Sequence, residues 1–121
     1  MKKVITTASD FAIFKTECNK WLDKYNLRRW DVFFAHEILE EPRVAQATYS
    51  LEEMAVTLFL GKDWTGHKCG KAEKELRVTA RHEVRELLLG RYSILAQYRY
   101  IAERELEEER HAIINSLECA E

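Results

Sequence analysis

The chain has 121 residues, of which 46% are hydrophobic and 33% are charged, and its formal net charge is −2. One proline and four glycines are too few for an all-β chain with many tight turns, while the apolar content excludes a disordered chain. A chain of this length can bury roughly two-thirds of its unfolded surface. We therefore predict a single domain over residues 1–121, with a core that needs neither disulfides nor a metal ion.

The sequence gives no sign of a membrane or secretory segment. No stretch approaches the roughly 20 consecutive apolar residues of a membrane span, and the first residues lack the apolar region of a signal peptide. The three cysteines, Cys18, Cys69 and Cys119, are widely separated, which is typical of a reducing compartment. We expect a cytoplasmic protein with no membrane partner.

Charge is unevenly distributed along the chain. Residues 1–30 carry seven Lys/Arg against three Asp/Glu, whereas residues 103–121 carry seven Glu against two Arg. This asymmetry indicates two ends that attract each other, within a chain or between copies, or an acidic face. Because the chain as a whole is not basic, we expect no nucleic-acid partner, and the oligomeric state stays open.

The first predicted element is an amphipathic helix. Ser9 and Asp10 offer side-chain oxygens for its N-cap, and apolar residues then recur every three or four positions as far as Tyr25. Asn26 is a suitable residue for its end.

Three short segments rich in aromatic and β-branched residues follow the helix. They cover residues 30–36, 44–49 and 54–60, and we predict a strand in each. The connections at 40–43 and 50–53 are short, which favours pairing of consecutive strands in an antiparallel meander.

The C-terminal half is predicted to be helical. After a loop over 61–70, the chain from Lys71 has no glycine until Gly90, which predicts a long helix in this stretch, and 92–100 is either helix or a connection. The last helix covers 103–117, with its inward residues expected at Leu106, Ile113, Ile114 and Leu117. The predicted fold class is α+β: an N-terminal helix, a small three-stranded sheet, a long helix and a C-terminal helix.

The long helix carries the one motif with a chemical interpretation, H-E-x-x-E at residues 82–86. It differs by one residue from the H-E-x-x-H of zinc peptidases, in which ligands at i and i+4 bind one zinc and the intervening glutamate is the general base. A carboxylate such as that of Glu86 binds zinc at about 2.0–2.2 Å, close to the imidazole distance. The alternative is an ordinary ion pair between His82 and Glu86, worth a few tenths of a kcal/mol.

The helical periodicity places this motif beside the core. Leu76, Ala80, Val84, Leu87 and Leu88 form an apolar arc, and the motif follows its edge together with Thr79. A cleft would be expected there, because that edge is half shielded and half open to water.

A catalytic zinc usually has three protein ligands, so a third is needed. Glu109 borders the apolar arc of the last helix, whereas Glu108 points away, and the alternative is that the whole glutamate run is solvated. His36, His67 and His111 are less favoured ligands. Trp64 beside His67 could line a cleft or lie in the core.

The order of segments resembles the small zincin-like metallopeptidases encoded by phages and prophages, minimal relatives of the gluzincin and SprT-like folds. The resemblance is carried by W-x-V-x-F-x-H at 30–36, A-x-H-E-x-x-x-L-L-L at 80–89 and E-E-x-x-x-I-I-x-x-L at 108–117. It implies a phage-encoded protein in a bacterial host.

The resemblance also implies roles for individual residues. His82 would be the first zinc ligand, Glu83 the general base, and Glu109, or its neighbour Glu108, the ligand from the last helix. Glu86 departs from the family, which has histidine there. Two carboxylates leave zinc less Lewis acidity than one and suit Mn²⁺, so the expected cofactor is Zn²⁺, with Mn²⁺ or no metal as alternatives.

Three functions follow from these patterns. The first is a weakly active metal-dependent peptidase, in which Glu83 takes a proton from the attacking water and the substrate is a protein or peptide. The second is a zincin-like scaffold that has lost its metal and binds a protein partner. The third is a purely structural helical protein in which H-E-x-x-E is accidental.

Overall fold

The structure is a computed structural model and describes residues 3–67, 70–97 and 103–120. Helix α1 is followed by strands β1, β2 and β3 and then by helices α2 and α3. Their bounds are α1 Ala8–Lys24, β1 Asp31–Glu37, β2 Ala45–Ser50, β3 Ala55–Gly61, α2 Glu73–Gln97 and α3 Glu103–Cys119. The predicted α+β class and the order of its elements are confirmed.

Helix α1 begins one residue after Thr7, which is the N-cap in place of the predicted Ser9 or Asp10. The Thr7 hydroxyl accepts a hydrogen bond from the Asp10 backbone N–H at 3.2 Å, and the Asp10 carboxylate accepts one from the Thr7 N–H at 2.9 Å. The prediction was wrong because Asp10 is the reciprocal partner of this capping box. Asp10 also accepts from Lys71 Nζ at 2.8 Å, which fastens the start of α1 to the segment before α2.

The sheet is not the predicted meander. Its strand order is β1-β3-β2, with β1 parallel and β2 antiparallel to the central strand β3. Strand β3 buries alternate residues Val56, Leu58 and Leu60, so it suits the position with neighbours on both sides. The connection at 38–44 is long enough to place β2 at the far edge of the sheet, which leaves the position beside β1 to β3. The short loop lengths favoured a meander but did not exclude this strand order.

One face of the sheet packs against α1 and α2 to form the core. The side chains buried there include those of Phe14, Cys18, Leu22, Tyr25, Leu27, Trp30, Val56, Leu58, Leu60, Trp64, Leu76, Ala80, Val84, Leu87 and Leu88. The predicted apolar arc of α2 is thus confirmed as its core-facing stripe.

Helix α2 also approaches β2 closely, at Gly90. A Cβ at this position would lie 2.7 Å from Cζ of Tyr49 on β2, well inside the normal contact distance. A larger residue at position 90 would therefore require the far end of the Tyr49 side chain to move.

Helix α3 packs against α2 along a narrow stripe. Glu109 and Ile113 are buried and Leu106 is half-buried, as predicted, but Ile114 and Leu117 are each 42% exposed. Those two inward assignments were wrong. Among the described elements α3 packs mainly against α2, so it buries a narrower arc than the periodicity alone suggests.

Candidate functional site

The H-E-x-x-E residues occupy two different environments on α2. His82 and Glu86 project outward, with side chains 67% and 60% exposed, and His82 Nε2 lies 3.3 Å from Glu86 Oε1. Glu83, between them in sequence, is only 8% exposed because it stands next to the core stripe. The i,i+4 contact given as the alternative to a metal site is present, but the half-shielded edge expected for the whole motif is not found, because His82 and Glu86 are exposed and Glu83 is buried.

Glu83 is a buried carboxylate with no hydrogen bond or ion pair in the part of the chain that the structure describes. The pKa of Glu83 is raised, mainly because burial disfavours its charged form. The nearby Glu86 carboxylate raises this pKa further, and His82 and Arg43 oppose the shift without reversing it. A carboxylate of this kind is a stronger base once ionised than an exposed one. Buried groups with perturbed pKa values are enriched at functional sites.

His82, Glu83 and Glu86 line one cleft of about 330 Å³ between α2 and β2, which we call the β2 cleft. Its lining consists of Arg43, Ala45, Gln46, Ala47, Tyr49, His82, Glu83 and Glu86. One wall is therefore the motif of α2, and the other is the antiparallel strand at the edge of the sheet.

The edge position of β2 adds a second feature. Among the described strands β2 pairs only with β3, so its outer edge presents backbone N–H and C=O groups without a strand partner. Such an edge can add an extended peptide as a further strand, with side-chain pockets providing selectivity.

Glu109 does not join the motif. It is 6% exposed, and Oε1 lies 3.3 Å from Arg29 Nη2, on the segment between α1 and β1. Glu108, the alternative, is exposed and pairs with Arg104 on its own helix at 3.2 Å. Glu109 lies at the border of the buried face, as predicted, but its carboxylate contacts the Arg29 guanidinium, which no local sequence pattern indicated.

The side chains predicted as metal ligands therefore fit a catalytic zinc only in part. Among residues 3–67, 70–97 and 103–120, no three His, Cys, Asp or Glu side chains lie together as metal ligands. His82 and Glu86 are adjacent and supply two donors, whereas a catalytic zinc usually has three protein ligands. The described side chains do not form the complete site of His82, Glu86 and Glu109.

The other candidates from the sequence have local roles. His36 Nε2 lies 2.7 Å from the Thr6 hydroxyl, and its ring stacks on Phe11. Trp64 is fully buried and packs edge-on against His67, whose Nε2 is buried and has no partner among the described residues. His111 is exposed on α3.

The cysteines show no catalytic arrangement in the described chain. Cys18 is fully buried in the core, where burial raises the pKa of its thiol, and Cys119 is exposed. Cys69 in the Lys-flanked loop lies outside the described residues.

A groove of about 630 Å³, which was not predicted from the sequence, lies on the other side of α2, facing α1. This basic groove is lined by Glu17, Glu73, Lys74, Arg77, Val78, Arg81, His82 and Arg85. The recurrence of basic residues every three or four positions along α2 was the signal that could have revealed it.

Within the groove, Glu17 holds a fixed set of partners. It accepts hydrogen bonds from Trp21 Nε1 at 2.8 Å and from Arg77 Nη1 at 2.9 Å. Burial alone would raise the pKa of Glu17, but the bonds from Trp21 and Arg77 outweigh it and lower the pKa. Three further cations, Lys20, Lys24 and Arg81, lie over the Trp21 ring at 4.8–5.4 Å from its centre.

None of the helices in the described ranges combines the length and the apolar character needed to cross a bilayer. Comparison with protein-family models gives no match, and comparisons with curated proteins and with solved structures give no significant match. The resemblance to zincin-like peptidases therefore stays a prediction from the residues at 30–36, 80–89 and 108–117.

Proposed function

We propose that this chain is a metal-dependent peptidase that binds an extended peptide in the β2 cleft. The observation that supports this best is that His82, Glu83 and Glu86 line one cleft with the unpaired edge of an antiparallel strand. By the same resemblance we propose that it is encoded by a phage or prophage and acts in the cytoplasm of the bacterial host.

The peptide would lie along β2, because backbone groups at the strand edge can pair with an extended chain of any sequence. Ala45 and Ala47 leave room beside the strand, while Arg43 and Tyr49 bound the cleft. Pairing of this kind would hold a peptide carbonyl within reach of the α2 side chains.

Glu83 is the residue that we propose as the proton acceptor. Its carboxylate is shielded, so its affinity for a proton is greater than that of an exposed glutamate, and it would take the proton of a water that attacks the peptide carbonyl. His82 and Glu86 are the proposed donors to Zn²⁺ or Mn²⁺. Since two donors are fewer than a catalytic zinc usually has, we expect weak metal binding and slow turnover.

A second candidate is a peptide-binding module without catalysis. The observation that favours it is the pairing of Glu109 with Arg29, which leaves no third ligand beside His82 and Glu86 in the described chain. Such a module would use the same cleft and the same strand edge.

The two candidates separate in one experiment. The purified chain is incubated with Zn²⁺ or Mn²⁺ and quenched-fluorescence peptides, and the products are identified by mass spectrometry. We expect cleavage that is reduced about 10²–10⁴-fold in Glu83→Gln, because this is the usual contribution of a general base. Glu53→Gln, on the exposed turn between β2 and β3, is the matched control and should cleave like the wild type.

Equal cleavage by wild type and Glu83→Gln would contradict the peptidase proposal. The binding module would instead be supported if no variant cleaves the peptides and if Tyr49→Ala, which truncates a side chain that lines the cleft, abolishes peptide binding. Absence of both cleavage and peptide binding would contradict both candidates.

A further inference from the structure

The basic groove contains cations that are not neutralised within the described chain. Both of its carboxylates, Glu17 and Glu73, pair with the same side chain, Arg77. Lys74 and Arg81 have no carboxylate within 4 Å in the described ranges, and the same holds for Arg85, which donates to the Tyr25 hydroxyl. The groove therefore carries a net positive charge toward solvent.

The groove is also partly apolar. Val78 lies among these cations and is 55% exposed. Lys74, Val78 and Arg85 follow one another at spacings of four and seven residues, so they form one stripe on the surface of α2. A binding partner with acidic groups on either side of an apolar group would match this stripe.

Helix α3 has this composition on its outer face. Glu107, Ile114 and Glu118 are exposed, and their spacings are seven and four residues. When the two helices are aligned antiparallel, the spacings of this α3 stripe equal those of the α2 stripe. The facing pairs are then Glu118 with Lys74, Ile114 with Val78, and Glu107 with Arg85. At about 1.5 Å per residue, both stripes span about 16 Å.

We propose that the basic groove binds α3 of a second copy of this chain, with the two helices antiparallel. The chain itself thus carries both complementary surfaces, and charged pairs around an apolar contact set the register. Each copy has one groove and one outer face of α3. If two copies each place α3 in the groove of the other, they form a closed two-fold dimer; if each copy binds a different neighbour, the contact builds a longer chain of copies.

The surface around Trp21 favours a protein partner over a nucleic acid. Binding of single-stranded nucleic acid gains much from bases stacked on exposed aromatic rings. The Trp21 ring is instead covered by Lys24 at 4.9 Å and Arg81 at 4.8 Å. An acidic helix needs no stacking platform and can use both these cations and Val78.

The test measures the molecular mass of the full chain in solution by sedimentation equilibrium at ionic strengths of about 0.1 M and about 1 M. Charged pairs are screened more strongly at the higher ionic strength, because the Debye length falls from about 10 Å to about 3 Å. We expect self-association at the lower ionic strength and at least a tenfold weaker association at the higher one. Lys74→Glu with Arg85→Glu reverses the groove, and Glu107→Lys with Glu118→Lys reverses the helix.

Each reversed protein should be monomeric, and an equimolar mixture of the two should associate again, because both contacts are then restored. Lys74→Glu alone leaves the Arg85 bond to Tyr25 intact, so its weakened association would not be a folding defect. Lys62→Glu, on the exposed segment after β3, is the charge-matched control and should associate like the wild type.

A wild-type chain that is monomeric at the lower ionic strength and a concentration on the order of 1 mM would overturn the proposal, since this would exclude even weak association. Failure of the mixture to associate would overturn it as well. Salt-dependent binding of an oligonucleotide that is lost in Lys74→Glu would show that the groove serves a nucleic acid instead.

Discussion

Two buried glutamates lie on opposite sides of α2, and their surroundings differ. Glu17, in the basic groove, accepts hydrogen bonds from Trp21 and Arg77, and these lower its pKa. Glu83, in the β2 cleft, has no such partner in the described chain, and burial raises its pKa. Both side chains are less than a tenth exposed, so burial alone does not distinguish them.

The difference separates a carboxylate that supports the fold from one that opposes it. A buried carboxylate with hydrogen-bond partners keeps its ionised form, whereas burial without partners disfavours the charged form, and such groups are enriched at functional sites. The α1 side of α2 therefore holds the helices together, and the β2 side leaves a carboxylate of raised pKa beside an open cleft.

The largest expected effect comes from closing the space between α2 and β2. Gly90→Ala places a Cβ 2.7 Å from the Tyr49 ring. Although alanine favours the helix by about 1 kcal/mol over glycine, we expect the clash to destabilise the protein by about 1–3 kcal/mol, measured by urea denaturation. Adding Tyr49→Ala should remove the clash, so a purely additive double variant would contradict the proposed contact.

The next effect concerns the fixed carboxylate. Glu17→Ala leaves the Trp21 indole and the Arg77 guanidinium without their acceptor, and we expect it to destabilise the fold by about 1–2 kcal/mol at pH 7. The pKa of Glu17 is lowered by folding, so this carboxylate stabilises above 4.5, its ordinary pKa, and less as the pH falls. The difference from wild type should narrow in acid. Glu53→Ala, on an exposed turn, should change stability by less than about 0.5 kcal/mol.

The smallest effect has the opposite sign. Folding raises the pKa of Glu83, so the stability linked to this group is present below its ordinary pKa of 4.5 and is lost as the pH rises through the folded value. Glu83→Gln should therefore be more stable than the wild type at pH 7, and the gain should vanish in acid. Thermal unfolding across pH measures this trend, and a destabilised Glu83→Gln at pH 7 would show that the carboxylate has a stabilising partner.

The helices were predictable because their signals are local. The apolar stripe of Ala80, Val84 and Leu87 on α2 and the place of Glu109 at the border of the buried face of α3 both follow from a 3.6-residue period, and both are found in the structure. The N-cap of α1 was misassigned by two or three residues, since Thr7, Ser9 and Asp10 all offer suitable oxygens.

The sheet order and the partner of Glu109 were not predictable from local patterns. Whether β1 pairs with β2 or with β3 depends on long-range packing, which here places β3 between the other two strands. Arg29 lies 80 positions from Glu109, so only the folded chain brings the guanidinium to the carboxylate. The β2 cleft itself joins residues from two such distant segments.

The central claim is that the β2 cleft is the site where this protein binds metal and peptide. Paramagnetic broadening of backbone amide signals by Mn²⁺, recorded by NMR at substoichiometric metal, tests its location directly. We expect the strongest broadening near His82 and Glu86 and on the facing residues of β2, with loss of this effect in His82→Ala and no change in His111→Ala. Broadening centred on the glutamates of α3, or spread evenly over the acidic surface, would contradict the claim.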